Sequence, residues 1–199
     1  MERFIKEILQ NKNFFNRDIA IVKVHNKLYK RFYCMDHINK HNFQTEHEVY
    51  DHVKAIVDLD GIVNDLIRRG FDHLRASLFV YSTYIRAPWR GAQMERQLHK
   101  LLNDIGVPCR HASLDEDIHG VDLICDDFAI QLKSISFLHM SSDRQKYTRD
   151  RIAQWEAKHG KRVYLIYYER YKGFTNLDEI LTPAQRKRER DLWFNKVYN

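Results

Sequence analysis

Residues 120–134, Gly-Val-Asp-Leu-Ile-Cys-Asp-Asp-Phe-Ala-Ile-Gln-Leu-Lys-Ser, constrain the chain more than any other stretch. Apolar and polar residues alternate on both sides of Asp126-Asp127, a pair favoured in tight turns. A two-residue turn there sets Cys125 opposite Phe128 and Asp122 opposite Gln131. Directly opposed residues of an antiparallel pair project from one face, and residues two apart on a strand share it. Asp122, Gln131 and Lys133 are therefore expected on one face. Val121, Leu123, Cys125, Ile130 and Leu132 are expected on the other, apolar one.

An acid, an amide and an amine on one surface suit phosphodiester chemistry. Magnesium takes oxygen ligands and is typically held by one or two carboxylates plus substrate phosphate. Asp122 supplies a carboxylate, and the Gln131 side-chain oxygen or the Leu132 carbonyl can complete the protein's share. Lys133 can then orient a water or meet the phosphate. The plain alternative is a half-buried strand with a charged outer face.

The flanking periodicity supplies the context. Met94, Leu98, Leu101, Leu102 and Ile105 recur at helical spacing, which predicts a helix over 92–105 stopped by Gly106 and Pro108. Glu95 lies at the edge of its apolar stripe. A strand is expected at 109–113. A second helix, capped by Ser142 or Asp143, runs to His159 and stops at Gly160. A β-branched and aromatic strand follows at 163–168. Thr182-Pro183 opens a further helix, with Pro at its first position.

With Asp122 ahead of Gln131-x-Lys133, and the order helix, strand, strand, strand, helix, strand, the chain resembles the PD-(D/E)XK nuclease superfamily over about residues 90–169. That resemblance implies an α/β restriction-endonuclease-like αβββαβ core, a mixed central sheet flanked by helices. Asp122 matches the metal-binding aspartate, Gln131 the variable acid or amide and Lys133 the catalytic lysine. Glu95 matches an acid that many members carry on the first helix. Asp122, Gln131, Leu132 and Glu95 are thus the implied magnesium ligands. Val121 stands where the family name has Pro, and Gln131 replaces the commoner Glu. The implied activity is magnesium-dependent cleavage of double-stranded DNA. A type II restriction endonuclease acting as a homodimer is the leading expectation. The alternatives are a repair, recombination or transposition nuclease, or a non-catalytic nucleic-acid-binding module.

Charge agrees with a polyanionic partner. The 199-residue chain carries a formal charge of +6. Residues 1–133 hold 19 basic and 19 acidic residues, whereas 134–199 hold 14 against 8. Arg144, Lys146, Arg149 and Arg151, on the helix after Lys133, are the expected DNA contacts, with Arg90 before the first helix. Phosphate contacts of this kind supply affinity without sequence reading.

The remaining expectations are coarser. Residues 1–89 are read as a mostly helical N-terminal extension for recognition or dimerisation, 90–170 as the catalytic core and 171–199 as a basic helical segment. Within the extension, a short helix is expected at 4–9 and a hairpin from 19–24 and 28–33. Thr45 and Glu48 form a capping-box pattern. Asp60-Gly61 is read as a helix break, and 71–85 fits helix or strand. His37, His41, His47 and His52 lack the spacing of a zinc site. No window reaches the ~18 apolar residues that suggest a membrane span. Cys34, Cys109 and Cys125 form no C-x-x-C pair, so free thiols in a cytoplasmic protein are expected.

Overall fold

A computed structural model describes residues 43–169 and 173–198, together with Ile21, Val24, His25 and His41. The chain divides into two compact units, Met1–Ala92 and Gln93–Asn199.

In the first unit, helix α1 (Glu46–Ile56) starts at Thr45, whose side chain accepts a hydrogen bond from the Glu48 N–H. The break before α2 (Leu59–Arg68) falls at Asp58, not at Asp60-Gly61. Asp58 Oδ1 caps the helix by accepting from the Gly61 N–H at 2.8 Å, so Gly61 belongs to the first turn. Helix α3 (His73–Tyr81) continues through a π-helical turn (Ser82–Arg86) into α4 (Ala87–Asp104), which resolves 71–85 as helical from His73 onward. The first unit's core joins Val49, Val53, Ile62, Leu66, Val80 and Ile85. Ile21, Val24 and His25 are helical, which overturns the expected hairpin at those positions. Their spacing places all three on one helical face, where buried Ile21 joins the core and His25 bonds the Tyr84 hydroxyl at 2.8 Å. The helix expected at 4–9 and the strand expected at 28–33 lie outside the described residues.

The second unit is mixed α/β. Its strands are β1 (Cys109–His111), β2 (Leu123–Cys125), β3 (Phe128–Ser134), β4 (Arg162–Glu169) and β5 (Gly173–Thr175), in the spatial order β1-β2-β3-β4-β5. Neighbours are antiparallel except β3 and β4, which run parallel. A parallel pair needs a crossover, and helix α6 (Ser142–His159) provides it. It ends at Gly160, whose φ of +66° is the left-handed conformation of a helix stop. A short helix α5 (Leu114–Ile118) interrupts β1 and β2, and α7 (Pro183–Tyr198) closes the unit. Neither α5 nor β5 is foreshadowed by the sequence pattern.

Leu123 pairs with Ile130 and Ile124 with Ala129, the register that a two-residue Asp126-Asp127 turn demands. One face of the sheet buries Leu123, Cys125, Ile130, Leu132 and Ile166 with Leu98, Leu102 and Ile105 of α4. At about 1.5–3 kcal/mol for each large side chain taken from water, this layer is the main support of the hairpin.

The opposite face is less polar than expected. Ile124 and Ala129 on it pack with Ile152 and Trp155 of α6, and Val121 joins them instead of the α4 side. The cause lies at Asp122. Its N–H donates to Ile130 O, while its carbonyl accepts from Ala112 N–H. A regular strand residue points both groups to the same neighbour, so alternation breaks here and Val121 changes face. Among the described residues, no helix is long and apolar enough to cross a membrane.

Candidate active site

Asp122, Gln131 and Lys133 share the sheet face that meets α6. Gln131 is buried at the centre of β3, and its Nε2 donates to Asp122 Oδ2 at 2.6 Å. The Leu132 N–H donates to the same oxygen at 2.5 Å. Both hydrogen bonds fall on Oδ2, so neither engages Oδ1. Gly120 makes room for this arrangement. A Cβ there would sit 2.8 Å from Gln131 Oε1, and its φ of +85° is itself a glycine conformation.

Burial pushes the Asp122 carboxyl up to about 7, offset by the Lys133 ammonium and reinforced by Glu95 and Asp117. Burial also pulls the Lys133 amine down, against the attraction of Asp122 and Asp117 and together with repulsion from Arg151 and Arg144. Among the described residues, the Lys133 amine takes no hydrogen bond or ion pair. A half-buried amine beside an acid, with no tight partner, is free to act on a third group.

Glu95 stands on α4, buried at 6% exposure, and its charge reaches Asp122. Its Oε1 bonds His111 Nδ1 at 2.6 Å. The Glu95 carboxylate holds the His111 imidazole above its ordinary pKa. His99 packs against His111 with ring centroids 4.4 Å apart, and its Nε2 bonds Cys109 O. Sequence reading missed His111. Its place on β1 shows only as a period-2 partner of Cys109, a signal too short to stand out.

The acidic run at 115–117 divides. Glu116 is used structurally. It accepts two bonds from Arg110 and one from Ser113 N–H in a capping box, and Arg110 foremost holds its carboxyl down to about 2. Asp117, by contrast, contributes to the field at both Asp122 and Lys133.

The expected DNA contacts divide too. Arg144 and Arg151 lie seven residues apart on one face of α6, and both are felt by Lys133. Arg151 also donates to Asp117 O at 3.4 Å. Lys146 and Arg149 lie around the helix from them, exposed, where they line a shallow depression with Ser142, Asp143, Gln145 and Asp150. Arg90 belongs to the first unit. Two C-terminal basic residues have structural work. Arg186 pairs with Asp178, and Arg188 donates to Ile105 O just past the end of α4.

Among the described residues, no three His, Cys, Asp or Glu side chains gather into a metal cage. What is present suits magnesium, which keeps most of its water and needs few protein oxygens. Asp122 offers an oxygen not engaged by Gln131 or Leu132, and the charge of Glu95 reaches it. Gln131 meets Asp122 through its amide nitrogen and therefore orients the carboxylate in this arrangement. No family model, curated protein or solved structure matches this chain.

Proposed function

We propose that this chain is a magnesium-dependent endonuclease that hydrolyses phosphodiester bonds in double-stranded DNA. The observation that carries the reading is the convergence of Asp122, Gln131 and Lys133 on one face of adjacent strands, within the field of Glu95 and Asp117. The order αβββαβ, with a parallel β3–β4 pair joined through α6, supports a restriction-endonuclease-like core.

Asp122 and Glu95 would hold the ion, with Leu132 O and Gln131 Oε1 as the remaining oxygen donors. A bound magnesium ion stabilises charge on the phosphate and lowers the pKa of adjacent water. Gln131 and the Leu132 N–H fix the Asp122 carboxylate by holding one of its oxygens. Lys133 handles a proton or a phosphate oxygen at Nζ, and burial suits it by making the amine easier to deprotonate. Arg144 and Arg151 place positive charge beside these groups, where a phosphate backbone must lie.

Within this reading we favour a cytoplasmic type II restriction endonuclease acting as a homodimer, since a palindromic target mirrors two-fold symmetry. Such an enzyme cuts plain plasmid at one short sequence, whereas a repair or recombination nuclease prefers junctions, flaps or ends. Cleavage mapping on plasmid beside branched oligonucleotides distinguishes them. The neutral Gln131, which stands where an acid would strengthen metal binding, favours a second reading as a non-catalytic nucleic-acid-binding module. That module would bind DNA and show no magnesium-dependent nicking at any protein concentration.

A further inference from the structure

Cys109 and Cys125 are directly opposed across β1 and β2. They form a rung without backbone hydrogen bonds between them. The Cys109 N–H donates to Asn103 Oδ1, its carbonyl accepts from His99 and Asn103, and the Cys125 carbonyl accepts from Lys161 Nζ. In antiparallel sheets such rungs bring opposed Cα atoms to about 4.5 Å, with the side chains at their closest. A disulfide spans Cα separations of about 4.4–6.8 Å, so this rung can be bridged without moving the strands apart. Both side chains belong to the apolar layer that packs against α4.

We propose that Cys109 and Cys125 form a reversible oxidation site, closing to a cross-strand disulfide when the chain meets hydrogen peroxide. The two sulfurs have different surroundings. Cys109 is half-buried on the edge strand, open enough for a small oxidant, while Cys125 is buried beneath it. The neighbouring Cys125 thiol favours the Cys109 thiolate, assisted by His111 and by Asn103 Nδ2 at 3.6 Å from the sulfur. The same pairing, with burial, holds the Cys125 thiol protonated. Cys109 is therefore the attacking sulfur and Cys125 the resolving one.

In the first step the Cys109 thiolate attacks one peroxide oxygen and the O–O bond breaks. The departing hydroxide takes a proton to become water, leaving Cys109 as a sulfenic acid. In the second step the Cys125 sulfur attacks the Cys109 sulfur, the S–O bond breaks, and the hydroxyl leaves as water with the Cys125 proton. Two thiols and one peroxide give one disulfide and two waters. The bridge would tie β1, which carries His111, to the strand that follows Asp122. The inference rests on thiol geometry and is independent of the nuclease reading.

The test is peptide mapping of the full chain without reduction, after brief hydrogen peroxide treatment and alkylation of the remaining thiols. The expected product is a Cys109–Cys125 linked peptide, lighter by two hydrogens, with Cys34 still alkylated and both thiols restored by dithiothreitol. In Cys125→Ala, Cys109 should stop at a sulfenic acid trapped by dimedone. Cys109 and Cys125 both remaining alkylatable, or either one pairing with Cys34 or with a second chain, would overturn the proposal. Because the mapping uses the natural chain, its outcome stands even if the variant folds poorly.

Discussion

The Gln131 amide donates to Asp122 Oδ2 at 2.6 Å, joining the centre of β3 to the residue just ahead of β2. This bond holds the candidate carboxylate where the Leu132 N–H and the field of Lys133 also reach it. Gln131→Leu removes that donor from a half-buried carboxylate. It should cost about 1–3 kcal/mol in urea unfolding, the usual penalty for stripping a partner from a buried polar group. An unchanged midpoint would show that the bond contributes nothing.

Gln131→Glu tests the site for a cation without relying on activity. The substitution sets two carboxylates against one another where burial already pushes Asp122 up to about 7. One of the pair should take a proton, and the melting temperature should fall. Magnesium should restore more stability to this variant than to the natural chain, since a ligand that binds only the folded state raises its stability. Equal magnesium responses in the two proteins would count against a cation at Asp122.

Gly120→Ala carries two penalties. It forces a side chain into a left-handed conformation and places a Cβ 2.8 Å from Gln131 Oε1. The conformational part alone is about 1–2 kcal/mol, so the urea midpoint should drop clearly. Gly160→Ala has a similar φ but nothing within 4 Å, and it should lose only the conformational part.

Acid stability should depend on Glu116. Arg110 and the Ser113 N–H hold its carboxyl down from an ordinary 4.5 to about 2. A folded pKa below the unfolded one gives stability that is full above about 4.5 and is lost as pH falls toward 2. Arg110 is exposed, so about 1 kcal/mol is the expected scale. Glu116→Gln should flatten the melting temperature between pH 5 and pH 2 relative to the natural chain, by calorimetry across that range. Parallel curves would exclude this source of acid lability.

How much of this was legible in the sequence depends on the range of the interactions. The β2–β3 register followed from alternation and a two-residue turn, both local, and Leu123–Ile130 and Ile124–Ala129 pair as expected. Helix α6 was equally plain from its Gly160 stop, and α1 from its Thr45 cap. Val121 was misplaced because the alternation fails at Asp122, where the backbone divides its hydrogen bonds between β1 and β3. His111 was missed because its partner Glu95 lies sixteen residues away on another element. Ile21 and Val24 read as strand from local β-branched content and His25 as the turn that follows, but their helical spacing serves a distant core. Pairwise contacts made across elements leave little trace in a single chain's periodicity.

Lys133 provides the most direct measurement. Plasmid DNA is incubated with magnesium and either the natural protein or Lys133→Ala, and DNA binding is followed separately by gel shift. The expected result is metal-dependent cleavage by the natural protein and a loss of about a hundredfold or more in the variant, the scale of a lost proton-transfer group, with affinity nearly unchanged. Equal cleavage by the two proteins, or DNA binding without any magnesium-dependent cutting by the natural chain, would contradict the assignment of Lys133 to the chemistry.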